Sequence, residues 1–394
     1  MRISIPISAF VAAIVGFGGT LAIVIAAAKA VGATQIETAS WVTAICLAMA
    51  IECLWLSWRT KMPVITAWST PGLALIAASS SFSMGEAVGA FIVTGILLIA
   101  TGLFGPLTRL IARIPPSVAS GMLAGILVSF AINAVKAIPA DPWLILPLIA
   151  TFFVIRLFNP AVSVLVVLIG GGLAAFLTGR VGGLPTPELS TLTLIAPHFS
   201  IAAIIGLALP LYLVTMASQN LSGLAVLRAA GYHPEPGPLI SVTGLLSLLS
   251  APFGGSTTNL AAISAAICTG PDVHPNPAER WKTGPFYALA YLVFAIFGAS
   301  LVAIFAVLPQ SLIVLVAGLA LMAPLANALS IALKDEGHRM AATVTFAVTA
   351  SGLTLFGVGA AFWGLVAGVV VLFLEELKMR QSFQPLVRIW RTLS

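Results

Sequence analysis

Apolar runs about twenty residues long follow one another from Ile5 to Leu377, and nearly every charged side chain falls in the short gaps between them. A helix of about twenty apolar residues is what crosses a bilayer, so the pattern admits little besides a helical membrane bundle. Composition agrees. Of 394 residues, 60% are hydrophobic and 8% are charged, against about 25% charged in soluble domains. The chain is read as an all-α polytopic membrane protein whose first partner is the lipid bilayer. Its net charge of +6 does not point to nucleic acid, because the basic residues lie in loops that orient a membrane chain.

Fourteen transmembrane segments can be counted, at roughly 6–28, 36–58, 63–81, 84–104, 115–134, 141–157, 160–178, 200–226, 237–250, 252–269, 284–307, 309–332, 338–356 and 358–377. The run after Arg2 exceeds the roughly 7–15 residues of a signal-peptide core and is expected to remain as the first span. Gly105 to Ile114, with Arg109 and Arg113, reads as an amphipathic linker on the membrane surface. With the N-terminus in the cytoplasm, Lys29, Lys136 and Arg180 fall outside and the other 15 of the 18 Lys and Arg fall inside, as the positive-inside rule requires. Both termini are then cytoplasmic.

The halves correspond. Pro115-Pro116-Ser117 opens segment five and Pro309-Gln310-Ser311 opens segment twelve. Asn133 and Asn327 follow these prolines by 18 residues each, an offset of 194 between halves. Seven segments per half is odd, so the second copy, 198–394, is inverted relative to the first, 1–197. Each half holds one apolar segment interrupted by a polar break. Segment three reads Pro63-Val64-Ile65-Thr66-Ala67-Trp68-Ser69-Thr70-Pro71-Gly72, and segment ten reads Pro252-Phe253-Gly254-Gly255-Ser256-Thr257-Thr258-Asn259. Short helix-like runs follow, Leu73 to Ala78 and Leu260 to Cys268. Irregular backbone at membrane depth is tolerated only where protein buries it or it lines a cavity, and such a pair of interruptions points to a transporter's binding site.

Each break is expected to be extended for a few residues and then helical. Ten helical residues rise about 15 Å, half the hydrocarbon thickness, so inverted repeats would bring both helix N-termini together near the midplane. Such ends present free N–H groups and partial positive charge and suit an anion. The candidate substrate-binding set is Thr66, Ser69, Thr70, Gly255, Ser256, Thr257, Thr258 and Asn259, with Gln219 and Asn220 from segment eight. Phe17 and Trp68 offer an aromatic ligand a stacking wall, or simply pack. The stretch Gly16-Phe17-Gly18-Gly19-Thr20 admits a close backbone or ligand, or serves helix packing.

Glu52 is the one acid well inside a span. Intramembrane ionisable groups are functional candidates by default, so Glu52 is the candidate proton carrier, with a structural carboxylate as the plain alternative. Cys46, Cys53 and Cys268 fit no metal spacing and read as small packing residues. Ser256→Ala or Gln219→Ala is expected to weaken uptake more than Cys53→Ala. The four histidines fall in loops or at span ends. No catalytic group, metal or cofactor is expected.

Met62 to Gly72, with Leu213-Val214-Thr215-Met216-Ala217-Ser218-Gln219-Asn220 and Ala350-Ser351-Gly352-Leu353-Thr354-Leu355, resembles the benzoate/proton symporter family (BenE type), nearly end to end. The resemblance implies inward, proton-driven transport of benzoate or a related aromatic carboxylate across the cell's inner (plasma) membrane. That family is similar in turn to the uracil permease-like fold of seven-plus-seven inverted repeats. This likeness implies a core domain (1–104 and 200–307), a gate domain (105–180 and 308–380), elevator-like movement of core against gate, and a homodimer through the gate. Two departures stand out. Nucleobase permeases of this fold carry acids in segments eight and ten, where this chain has Gln219 and Ser264. Many benzoate-type relatives carry His in place of Ser256.

The other readings to be weighed are the same fold carrying a nucleobase or inorganic anion, an anion channel, and an intramembrane enzyme. A missing acid suits an anionic cargo, since like charges repel strongly in a low dielectric. An enzyme would need a catalytic constellation, and Glu52 stands alone.

Overall fold

A computed structural model describes residues 2–79, 82–104, 115–181, 183 and 185–393, the side chains of 376 and 378–393 excepted. The linker expected at Gly105 to Ile114 lies outside the described residues. The first half contains α1 (Ser4–Ala30), α2 (Gln35–Thr60), the strand β1 (Thr66–Trp68), α3 (Thr70–Ala77) and α4 (Met84–Leu103), followed by α5 (Pro116–Lys136), α6 (Pro142–Phe158) and α7 (Ser163–Leu177). The second half contains α8 (Ile201–Ala229), α9 (Pro236–Ser250), the strand β2 (Thr258–Leu260) and α10 (Ile263–Thr269). It continues with α11 (Thr283–Ile296), α12 (Gly298–Val307), α13 (Gln310–Lys334), α14 (Arg339–Ala350) and α15 (Ala360–Leu393).

Among the described residues seven helices are long and apolar enough to cross a membrane, or eight if α11 and α12 make one bent span. Apolar side chains also cover the outside: Phe153, Val154, Leu157 and Phe158 on α6, and Ile169, Leu173 and Leu177 on α7, are all exposed. In water such a surface would aggregate; against lipid it is the stable arrangement.

Small residues set the helix crossings. Gly95 and Gly102 of α4 meet the α9 backbone at Leu248 and Gly237, and Gly244 of α9 meets Ile99 of α4. Gly284 of α11 sits against Ser57 and the Cys53 carbonyl of α2. These close approaches are how helices gain packing energy where lipid is as apolar as the partner. The main pairings are α2 with α11, α4 with α9, α5 with α13 and α14, and α14 with α15.

Three features depart from the sequence reading. The fold is not purely helical, because β1 and β2 pair antiparallel, with Thr66 opposite Leu260, Ala67 opposite Asn259 and Trp68 opposite Thr258. The second short helix starts at Ile263 rather than Leu260, since Leu260 ends β2 and the Ala261 N–H is taken by the Ile65 carbonyl. The run 284–307 bends by 62° between α11 and α12. There Ser190 wedges in: its N–H donates to the Ile296 carbonyl, and its Oγ accepts the Ala299 N–H freed by the break, at 2.8 Å.

Candidate functional site

The two breaks form one crossing. Pro63 and Pro252 stop the preceding helices, and Gly254 takes the left-handed conformation (φ +86°) that turns the chain into β2. Besides the ladder itself, Ser69 N–H donates to the Thr257 carbonyl at 3.1 Å. At α3 the Ser69 hydroxyl caps the helix by accepting the Gly72 N–H at 3.2 Å, and Pro71 in the first turn has no N–H to satisfy. At α10 no side chain caps the first turn.

A cavity of about 890 Å³ opens at this crossing. The N-terminal ends of both short helices reach it, through Thr70 and Pro71 and through Ala262, Ile263 and Ser264. Trp68, Tyr291, Gly16, Gly19, Thr20 and Gln219 complete the inner wall. The opposite wall comes from α5, α6 and α13, including Ser120, Arg156, Asn159 and Asn327. Among the described lining residues Arg156 is the one charged side chain, and none is acidic. The aromatic wall is braced from behind: Phe17 stacks against Trp68 with ring centroids 5.4 Å apart and against Phe294 at 4.4 Å.

Of the residues anticipated for binding, Trp68, Thr70 and Gln219 line the cavity. The others stand behind it. Phe17 supports Trp68. Thr66 is fully buried, with its Oγ1 3.2 Å from Cys53 Sγ and its N–H donating to that sulfur at 3.1 Å. Cys53 packs in the hydrophobic core, as read from sequence, and is also a polar partner of β1. Thr257 Oγ1 lies 3.1 Å from Thr215 Oγ1, which also donates to Ser69 Oγ at 3.1 Å. Asn220 Oδ1 accepts the Leu260 N–H at 3.0 Å, a brace for the end of β2. Gly255 packs where a Cβ would stand 2.7 Å from the Ser250 side chain. Ser256 Oγ and Asn259 Oδ1 are buried without a partner among the described residues. Thr258 Oγ1 donates to Glu52 Oε1 at 2.5 Å. Glu52 itself is completely buried and is not part of the cavity wall.

Gln219 and Asn220 end a local widening of α8. Residues Thr215–Asn220 are π-helical, a distortion frequent at functional sites. It places Gln219 on the cavity and Asn220 against β2. Tyr291 and Arg156 are among the lining residues that the sequence reading did not put forward. Tyr291 lies in an apolar run, where its signal is a second tyrosine four residues earlier, Tyr287, whose hydroxyl donates to that of Tyr291 at 3.4 Å. Arg156 reads from sequence as a loop cation. Among the described residues no group of three His, Cys, Asp or Glu is placed to hold a metal ion.

Lipid-facing helices around a cavity at the ends of two short inner helices are an architecture a membrane transport protein needs, and solved structures share the fold. The chain matches the transmembrane domain of a cyanobacterial bicarbonate transporter, BicA, at a TM-score of 0.59 and 15% identity, over 95% of this chain and 97% of that one. It matches SLC26A9 at a TM-score of 0.59 and 12% identity, over 95% of this chain and 65% of that one. At this identity the likeness concerns the fold alone. The chain belongs to the benzoate membrane transport protein (BenE) family, whose model matches residues 2–374. It is 41% identical to the inner membrane protein YdcO of Escherichia coli K12 over 366 residues, covering 92% of this chain and 94% of that one. It is 34% identical to a benzoate membrane transport protein of Acinetobacter baylyi over 374 residues, covering 94% and 95%.

Proposed function

We propose that the protein is a proton-coupled symporter that carries benzoate, or a similar aromatic carboxylate, into the cell. The observation that carries this reading is the chemistry of the 890 Å³ cavity: Trp68 and Tyr291 beside Thr70, Gln219 and Ser264, with Arg156 and, among the described residues, no acid. Flat aromatic walls suit a benzene ring, neutral donors orient a carboxylate, and an anion meets no like charge. The uncapped first turn of α10 adds N–H donors on the same wall. Family membership and the A. baylyi relative's printed function support the same cargo.

The reading extends to architecture. Fourteen spans in two inverted repeats fit the packing, because exchanging the halves converts the α2–α11 pair into the α9–α4 pair. In this scheme α1–α4 and α8–α12 form the core, and α5–α7 and α13–α15 form the gate. The cavity lies between them, and a homodimer forms through the gate. A smaller cavity of about 410 Å³ lies at the other end of α3, lined by Ala78, Ser79, Lys29, Gln310 and Asn133. Core sliding against gate, elevator-like, would close one cavity and open the other. With both termini cytoplasmic in the inner membrane, the larger cavity faces the cytoplasm. Glu52 carries the proton.

The test is uptake of radiolabelled benzoate into proteoliposomes under an inward proton gradient, with protein-free liposomes subtracted because neutral benzoic acid crosses lipid. Accumulation that collapses with a protonophore is expected. Accumulation of uracil or sulfate instead of benzoate would overturn the cargo and keep the fold.

A further inference from the structure

Glu52 and the cavity are separated by the β1–β2 crossing, so a proton on Glu52 must be sensed across it. Thr258 stands in the right place. Its hydroxyl lies 2.5 Å from Glu52 Oε1, 3.1 Å from the Thr243 carbonyl oxygen and 3.1 Å from Ser247 Oγ. A threonine hydroxyl has one hydrogen to donate, so it serves Glu52 or Thr243 but not both. An ionised carboxylate only accepts, whereas a protonated one also donates. A protonated carboxyl keeps one accepting oxygen, but Glu52 Oε2 has no partner among the described residues. The acid hydrogen is satisfied only on Oε1, against Thr258, and the two states of Glu52 then give Thr258 opposite roles. With Glu52 ionised, Thr258 donates to Oε1. With Glu52 protonated, the acid O–H donates to Thr258 Oγ1, and the threonine hydrogen turns to the Thr243 carbonyl. The surroundings are held for this exchange: Ser247 Oγ accepts the Thr258 N–H at 2.9 Å and donates to the Thr243 carbonyl at 2.7 Å.

Thr258 is also the ladder partner of Trp68. The bond from Ser69 N–H to the Thr257 carbonyl makes the neighbouring Trp68–Thr258 pair a non-hydrogen-bonded one, in which the two chains approach most closely. Trp68 lines the cavity, and Thr257, next to Thr258, connects through Thr215 to the Ser69 cap of α3.

We propose that Thr258 is the positioning residue that reads the proton state of Glu52 and transmits it to the cavity wall through Trp68. This rests on the reading of Glu52 as proton carrier. Glu52 has no ion-pair partner among the described residues. The titratable groups on elements packed around it are Cys46 and Cys53 of α2, Cys268 of α10, and Tyr287 and Tyr291 of α11, with Glu37 and Arg59 at the two ends of α2, where Glu37 accepts the Thr34 N–H and Arg59 is exposed. The strands, α9 and α12 contribute none. Arg280 is engaged by the His274 and Thr269 carbonyls, and Glu279 pairs with Lys282.

The experiment uses the full chain reconstituted in liposomes, as wild type, Thr258→Val, Thr258→Ser and Glu52→Gln. An infrared pH titration needs no cargo; Glu52→Gln identifies the Glu52 carboxyl C=O band. Benzoate transport is then measured both as gradient-driven accumulation and as exchange without a gradient. Thr258→Val is expected to displace the Glu52 band and to lower accumulation about tenfold while exchange stays within about threefold, as loss of one hydrogen bond to a charged group implies. Thr258→Ser restores both. An unmoved band in Thr258→Val, or accumulation and exchange falling together, would overturn the proposal. Should the valine variant not fold, a Thr258→Ser protein with a displaced band or a lowered accumulation-to-exchange ratio would overturn it equally. A wild type that ignores benzoate yet shows a Thr258-sensitive Glu52 band would refute the cargo and sustain the Thr258–Glu52 link.

Discussion

The Trp68 indole N–H donates to Thr20 Oγ1 at 2.5 Å, and the same threonine donates its own hydrogen to the Gly16 carbonyl one turn earlier. The bond joins β1 to α1 and holds the indole edge at the cavity. A buried donor left unpaired costs about 1–3 kcal/mol, whereas removing both partners is nearly neutral. Thr20→Val is therefore expected to raise the half-saturating benzoate concentration about tenfold. Adding Trp68→Phe should recover part of that loss. The check is a double-mutant cycle on uptake, and strictly additive losses would show that the bond does not position the ring.

Gln219→Ala removes a cavity amide. It should raise the half-saturating concentration about tenfold, the scale of one hydrogen bond to a charged group, with unchanged thermal stability. Cys53→Ala should cost less but still be measurable, because Cys53 Sγ holds Thr66. Ser256→Ala should be the mildest, since Ser256 does not line the cavity. The sequence alone suggested the reverse order for Cys53 and Ser256. Uptake kinetics of the three variants at equal expression decide between the two orders.

Arg156 is the single cation among the described residues of the cavity wall and lies 5.7 Å from the Phe152 ring centroid. A cation at a cavity mouth raises the local concentration of anions and is screened by salt. Arg156→Gln should slow exchange from the cavity side about threefold to tenfold at low ionic strength and remove most of its salt dependence. Exchange rates at low and high salt test this.

Asn220 should behave differently from its neighbour. Asn220→Ala strands the Leu260 N–H in a buried position, at a cost of about 1–3 kcal/mol. A lowered unfolding temperature in detergent is expected, larger than for Gln219→Ala. Equal unfolding temperatures for the two variants would contradict the division of roles along the π-helical turn.

Both polar breaks were legible in the sequence because Pro63, Pro71, Pro252 and Gly254 act on their own backbone, whatever surrounds them. The apolar runs were legible for the same local reason. The pairing of β1 with β2 was not, since it joins residues about 190 positions apart and depends on how the halves pack. Side-chain direction was lost with it. Thr66, Thr257, Thr258 and Asn220 look like ligands for a substrate in sequence, yet in the fold their side chains bond to Cys53, Thr215, Glu52 and the Leu260 N–H. Tyr291 was overlooked because an aromatic in an apolar run reads as packing. The bend at Phe297 depends on Ser190, more than a hundred residues away, and no local pattern announces it.

Binding of an aromatic carboxylate as an anion is what the proposed function asks of the cavity at the crossing. Its most direct test is calorimetric binding to the purified protein, comparing benzoate with benzamide, which keeps the ring and loses the charge. Benzoate should bind at least about tenfold more tightly, as a charge-assisted hydrogen bond implies, and Gln219→Ala should remove most of the difference. Equal affinity for the two, or preference for sulfate or uracil, would contradict it.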